Sequence, residues 1–192
     1  MTRKKDPVLD VLMKAYEESE GGYVDLVVEH GELNGITLEH LKWWGQSMND
    51  PVRYKMWHPE DHISHHVETL IDKNGKAVNI MYAEEKIGEY APSTLRLRQE
   101  APDSAPVHQI YEPMATNTLL GPEDEEIGGV YHECRPTPYG MLMRSTFRLP
   151  AKTPKSLIEA ICEHSKTEMG NFPKFLPQLY QKESSLRVKG CG

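Results

Sequence analysis

The chain has 192 residues, 38% hydrophobic and 27% charged, and its 22 Lys and Arg residues against 29 Asp and Glu residues give a formal charge of -7. This composition suits one globular domain and is too apolar for wholesale disorder, while the net acidity without a basic block excludes a typical nucleic-acid-binding surface. No apolar run approaches the roughly 20 residues that a membrane-spanning helix needs, so no membrane partner is expected.

The cysteines and the first residues indicate a compartment. Three cysteines at wide spacings predict neither a disulfide framework nor a cysteine-based zinc module. The basic residues near Met1 have no apolar core behind them, so the pattern does not predict a secretory signal. We therefore expect a cytoplasmic protein.

Two helices are predicted in the first part of the chain. Apolar residues recur at helical spacing within residues 8–20, which predicts a helix that stops at Gly21. Residues 1–36 are therefore expected to form an N-terminal helical extension. A second helix is predicted to start at Thr37 and to end before Pro51.

The pattern between residues 67 and 150 is typical of strands. A hairpin turn is predicted at 72–76, with a strand at 77–82 behind it. Further strands are predicted at 94–99, 107–111, 127–134 and 141–149. No helical pattern separates them, which predicts an antiparallel sheet. The acidic segment 121–126 is interpreted as a solvated loop rather than a cation site.

The pattern becomes helical again after residue 150. Thr153 and Pro154 predict a helix start, and an apolar stripe follows at helical spacing. Gly170 is the expected end of this helix. Residues 181–192 are polar and are expected to be a flexible tail.

Two groups of polar residues are candidates for a metal site. His164 and Glu168 stand four residues apart, so both project from one face of the last helix. The second group comprises His58, Glu60, Asp61, His62, His65, His66 and Glu68. Zinc and similar ions need three or four nitrogen or oxygen donors from distant segments, which these groups supply. The alternative is that they are hydrogen-bonded pairs and imidazoles on the surface.

The end of the predicted strand at 77–82 offers acidic ligands as well. Glu84, Glu85 and Glu89 follow it closely in the sequence. Any of them could complete a metal site, although charges at a strand end are usually just solvated.

Three separated segments resemble the diacetylphloroglucinol hydrolase family, which includes phloretin hydrolase. They are Trp43-Trp44 with RYKMWHPEDH at 53–62, YHECR around His132 with the strand at 140–149, and HSKTE followed by NFPKFLP within 164–177. The resemblance covers about residues 37–180, which we assign to a hydrolase-like domain.

The resemblance implies an α+β fold of the helix-grip, Bet v 1-like type. In this fold a curved antiparallel sheet wraps around a long C-terminal helix, here with N-terminal helices added. The family holds one Zn²⁺ with two His and two Glu residues. Carried over by motif, the ligands are His62, Glu85, His164 and Glu168. Glu85 fits the family pattern better than Glu84 or Glu89.

The resemblance also implies an activity, the hydrolysis of the carbon–carbon bond between an acyl group and a phenolic ring. His132 is then the expected general acid or base, and Tyr54 is expected to bind a phenolic or ketone oxygen. His65 stands where the family has a different polar residue facing the substrate. A structural histidine and a packed tyrosine are the alternatives for His132 and Tyr54. For Arg144 the two alternatives are an inward orientation toward a phenolate and an outward one toward water.

The expected partner is a small aromatic ketone, and a homodimer is the oligomer to expect because two-fold dimers are the commonest soluble assemblies. Two other functions remain open, since one fold serves many functions. The protein could be a non-catalytic carrier of an aromatic or polyketide ligand. It could also be a metal enzyme of the same fold with different chemistry, such as ester hydrolysis.

Overall fold

The computed structural model describes residues 7–72 and 74–189, and side chains as far as residue 185. Its helices are α1 (Val8–Glu18), α2 (Leu38–Ser47), α3 (Pro51–Trp57) and α4 (Lys155–Lys189). Its strands are β1 (Tyr23–Glu29), β2 (Leu33–Asn34), β3 (His62–Ile71), β4 (Ala77–Glu85), β5 (Ser93–Gln99), β6 (Glu112–Leu120), β7 (Glu126–Pro136) and β8 (Gly140–Pro150). A short 3-10 helix, Pro102–Ser104, lies between β5 and β6.

The strands form one antiparallel sheet in the order β1-β8-β7-β6-β5-β4-β3, and β2 also pairs with β8. The long helix α4 packs on this sheet, which confirms the predicted helix-grip architecture. The hairpin turn between β3 and β4 is confirmed too, with Gly75 at φ +79°. Lys73, within that turn, lies outside the described residues. None of the helices described is long and apolar enough to cross a membrane.

The expectation that residues 1–36 are a helical extension is wrong beyond α1. Residues 23–29 form the edge strand β1, which pairs with β8 from Tyr23 opposite Pro150 onward. Gly21, at φ +81°, turns the chain back toward the sheet, a conformation that glycine adopts without steric cost. The N-terminal segment is therefore part of the sheet.

The predicted strand at 107–111 is also wrong, because the described chain there makes bends instead of a ladder. The carboxylate of Glu133 accepts the backbone N–H groups of Ile110 and Tyr111 at 2.7 and 2.9 Å. A buried side chain thus satisfies donors that a neighbouring strand would otherwise take. The strand of this region is β6, which starts at Glu112.

The predicted helix end at Gly170 is wrong, since α4 continues through Pro173 and Pro177 to Lys189. A glycine costs a helix only about 1 kcal/mol and an interior proline about 3 kcal/mol. Phe172 and Leu176 are fully buried in the core beyond the glycine, and this packing outweighs the local preference. The flexible tail predicted from residue 181 is not seen as far as residue 189, because α4 continues there without a break. Residues 190–192 lie outside the described part.

Helix α4 joins two apolar clusters that leave a polar gap between them. Leu157 and Ile161 belong to the cluster packed under α1. Met169 and Phe172 belong to the cluster packed under α2. The turns of α4 between them carry polar residues against the sheet, so the fold places a polar site between two halves of its core.

Candidate metal centre

Three elements converge on the polar gap. His62 is the first residue of β3 and Glu85 the last of β4, and the sheet register places them opposite each other. Helix α4 crosses above and brings His164 and Glu168 from one of its faces. Ligand atoms of these four residues all lie within 4.8 Å of one another, so together they could hold a metal ion.

The four side chains lie close together, and three are buried while Glu85 is partly buried. His62 Nε2 lies 2.9 Å from Glu168 Oε1 and 3.7 Å from Glu85 Oε1. His164 Nε2 lies 3.5 Å from Glu168 Oε1 and 3.7 Å from Glu85 Oε2. At these ion-pair distances neither Nε2 atom makes a hydrogen bond of good geometry with the described residues. Buried polar atoms without such a bond are costly unless another group binds them.

Both histidines face this gap with Nε2, because Nδ1 of each ring is hydrogen-bonded to another group. His62 Nδ1 lies 3.0 Å from the backbone carbonyl of Tyr54, which can only accept a hydrogen bond. His164 Nδ1 lies 3.0 Å from the carboxylate of Asp61. With the proton of each neutral ring on Nδ1, the lone pair is on Nε2, as a metal ligand requires.

Charge balance supports the same conclusion. Burial alone lowers the pKa of His164, but the Glu168 carboxylate and the hydrogen bond to Asp61 outweigh it and raise that pKa to about 11. Burial also opposes charge on His62, yet its contact with Glu168 and the charge of Glu85 raise its pKa. Two buried carboxylates therefore attract positive charge, from protons or from a cation.

Asp61 and His58 form an outer layer behind His164. The backbone N–H of Asp61 donates to His58 Nδ1, and His58 Nε2 lies 3.5 Å from the Asp61 carboxylate. The His58 ring stacks on the His164 ring at 4.5 Å between centroids. His58, Asp61 and His164 form a second cluster that could hold a metal ion. In this cluster, however, His164 Nδ1 and the Asp61 carboxylate already bond to each other.

Tyr54 is built into the centre rather than loosely packed nearby. Its ring is 2% exposed and stacks on His62 at 3.9 Å between centroids. Its hydroxyl donates a very short hydrogen bond to Glu85 Oε1. Burial and the negative charge of Glu85 raise the pKa of this hydroxyl well above 10.0, so it remains a proton donor.

A cavity of about 450 Å³ opens beside the four residues. Its wall is mostly apolar and includes Trp44 and Trp57. Tyr54, His65 and His132 contribute polar groups near the metal-ligand candidates. The cavity thus combines a mostly apolar wall with several polar groups, which suits an amphipathic small molecule.

His65 faces this cavity with both ring nitrogens buried and without a hydrogen-bond partner. Burial lowers its pKa to about 4, so the ring is neutral. A neutral imidazole offers one donor and one acceptor. A ligand group that can both accept and donate, such as a hydroxyl, would satisfy both.

His132 lies on β7 and lines the same cavity. Burial lowers its pKa and keeps the ring neutral. Its Nδ1 lies 2.8 Å from Ser145 Oγ, and the same oxygen lies 2.8 Å from His30 Nε2. Nothing in the local sequence pattern indicates that His30 belongs here, since it is 115 residues away from Ser145.

Other candidates lie away from the centre. Glu84 accepts a hydrogen bond from Ser64, and Glu89 is exposed. His66 is exposed and pairs with Glu68. Arg144 binds Glu133 and Glu29 instead of pointing into the cavity. The acidic segment at 121–126 forms the turn between β6 and β7, as predicted.

Comparison with known proteins places the chain in a family. The crystal structure of Ara h 8.0201 is similar at a TM-score of 0.50 and 12% identity, covering 82% of this chain and 99% of that one, which shows the fold alone. No curated protein matches. The family model of the DAPG hydrolase PhiG domain matches residues 9–153, which include His62 and Glu85, while α4 follows the match. Since this match spans well over half of the chain, the protein belongs to the DAPG hydrolase PhiG domain family and is a hydrolase of that family.

Proposed function

We propose that this protein is a zinc-dependent hydrolase that cleaves the carbon–carbon bond between an acyl group and a phenolic ring. One observation carries the proposal. Two buried imidazole nitrogens and two carboxylates converge beside a mostly apolar cavity, and neither nitrogen makes a hydrogen bond of good geometry with the described residues. In a chain of this hydrolase family, such a set favours a catalytic metal site over a structural one.

The spacing of the ligand atoms supports a small tetrahedral cation. Zinc binds imidazole nitrogen and carboxylate oxygen at about 2.0–2.1 Å, which places neighbouring ligand atoms of a tetrahedron about 3.3 Å apart. Both Nε2 atoms face the same Glu168 oxygen, at 2.9 and 3.5 Å, and each lies 3.7 Å from a different oxygen of Glu85. Imidazole and carboxylate donors without cysteine match catalytic zinc sites better than structural ones.

The atoms and charges of the proposed reaction balance. Water adds to the acyl carbon, the bond to the ring breaks with its electron pair on the ring carbon, and that carbon then takes up a proton. The products are a carboxylic acid and a phenol. Zinc, when bound, supplies Lewis acidity that polarises oxygen and eases the deprotonation of water. Hydroxyl groups ortho and para to the acyl group stabilise the ring carbanion, so a polyhydroxylated ring is preferred.

The residues of this chain orient the substrate and move its proton. Tyr54 donates its hydroxyl proton to Glu85 Oε1, so its oxygen is left to accept a hydrogen bond from a phenolic hydroxyl of the substrate. His65 offers a donor and an acceptor to a ring hydroxyl. His132 is neutral and can take the proton that the water loses and return it to the ring carbon. The apolar wall excludes bulk water from the carbanion.

A panel of acylphloroglucinols tests the proposal directly. The purified protein is incubated with each compound and acid release is followed. His132→Ala is expected to keep the metal and lose turnover by a factor of about 10² to 10⁴, the usual contribution of a general acid or base. Release of acid from simple aryl esters alone would favour different chemistry on the same fold. Ligand binding without bound metal or turnover would favour a carrier.

Cytoplasmic location and a homodimer stay predictions.

A further inference from the structure

A row of three buried polar side chains crosses the sheet, and His132 at one end of the row lines the cavity. His132 on β7 stands opposite Ser145 on β8 in the strand register. His30 follows β1, and its backbone N–H donates to the carbonyl of Met143 on β8. The three residues are 9%, 0% and 8% exposed in the order His132, Ser145, His30. Three neighbouring strands therefore hold them in line.

The hydrogen bonds of this row constrain its protons. Ser145 Oγ lies 2.8 Å from His132 Nδ1 and 2.8 Å from His30 Nε2, but the hydroxyl has only one hydrogen to donate. If Ser145 donates to His132, the neutral His132 ring carries its proton on Nε2. If Ser145 donates to His30, His132 donates from Nδ1 and its Nε2 is a free base. In the first arrangement His132 Nε2 can donate a proton to a group in the cavity, and in the second it can accept one.

We propose that His30 and Ser145 are positioning residues that set the tautomer of His132 and store the proton it takes up. This inference rests on the proposed hydrolysis. A proton that enters at His132 Nε2 releases the Nδ1 proton to Ser145 Oγ, whose own proton passes to His30 Nε2. His132 and Ser145 end neutral and His30 becomes an imidazolium. The reverse transfer returns the proton to the ring carbon of the substrate.

The arrangement moves the charge out of the cavity wall. A charged imidazolium in the apolar wall is costly, and burial lowers the pKa of His132 accordingly. His30 is as buried as His132, and burial lowers its pKa to about 4, so the imidazolium on His30 is short-lived and the proton returns readily to His132. While the charge is on His30, it lies at the edge of the sheet beside the exposed residues Gly31 and Glu32.

Nitrogen NMR of side-chain ¹⁵N-labelled histidines in the full chain tests this coupling without any substrate. Ser145→Ala is expected to shift the imidazole resonances of both His30 and His132. His30→Phe is expected to shift those of His132, because Ser145 Oγ bonds to both rings. Thr116→Val is the matched control, because Thr116 is a buried hydroxyl that donates to the carbonyl of Pro102 instead. Unchanged His132 resonances in His30→Phe would overturn the proposal.

Turnover of an acylphloroglucinol supplies the second test. His30→Gln can still bond to Ser145 but cannot store a proton, and it substitutes for His30→Phe if that variant fails to fold. It is expected to lower kcat at least about tenfold with KM changed less than about twofold. Full kcat in His30→Gln would refute proton storage. If the parent protein releases no acid, the proposed function fails, while the NMR coupling still decides the positioning role.

Discussion

The carboxylate of Asp61 is expected to tune metal affinity without touching the metal. It accepts the hydrogen bond from His164 Nδ1 at 3.0 Å and is itself buried, at 9% exposure. A carboxylate behind a ligand histidine fixes the ring orientation and raises the basicity of the opposite nitrogen. The prediction is that zinc affinity falls when this carboxylate is altered while the four ligands remain.

Two substitutions at this position separate charge from hydrogen bonding. Asp61→Asn keeps an oxygen acceptor for His164 and removes only the charge, so a loss of about tenfold in zinc affinity is expected. Asp61→Ala removes both, and a loss of about 100-fold is expected. These factors correspond to about 1.4 and 2.7 kcal/mol of binding free energy.

Competition with a chromophoric chelator at fixed pH measures these affinities. Glu60→Gln is the matched control, because the neighbouring Glu60 is exposed and carries the same charge. It is expected to change affinity less than about twofold, since exposed charges are screened. If Asp61→Asn binds zinc as tightly as Glu60→Gln does, the role assigned to Asp61 is wrong.

Three further outcomes are expected. Glu168→Ala should remove zinc and turnover together while α4 stays folded, as elemental analysis and circular dichroism would show; full zinc content would refute the ligand assignment. Zinc affinity should rise with pH, because metal-free His164 has a pKa raised to about 11 and must lose a proton on binding; chelator titrations at several pH values test this, and pH-independent affinity would contradict it. Glu133→Ala should lower the free energy of unfolding in urea by about 1–3 kcal/mol, because it removes one of the two carboxylate partners of Arg144 and the acceptor of two backbone N–H groups, whereas Glu126→Ala, in an exposed pair, should cost less than about 1 kcal/mol. Equal losses in these two variants would contradict the burial argument.

The ligand candidates on α4 and the sheet could be predicted because their signals are local. His164 and Glu168 share a helix face by their spacing alone. The choice of Glu85 over Glu84 comes from the family pattern, and it agrees with β4, in which adjacent residues point to opposite faces. The association of β3 with α4 has no local signal in the sequence. It is implied by the resemblance of the separated motifs to one family.

The features that the sequence does not indicate depend on tertiary contacts. Helix α4 passes Gly170 because Phe172 and Leu176 are buried beyond it, and no local rule contains that gain. Edge strand β1 depends on its pairing with β8, more than 100 residues later. The contact of His30 with Ser145 follows from the same pairing, so it could not be inferred before the strand order was known.

The most direct test of the central claim is the metal content of the purified full chain after expression with zinc in the medium. We expect one equivalent of zinc per chain, retained through gel filtration and absent from a variant in which His62 and His164 are both alanine. A parent protein that carries no zinc, or a double variant that keeps it, would contradict the assignment of this buried cluster as a metal centre.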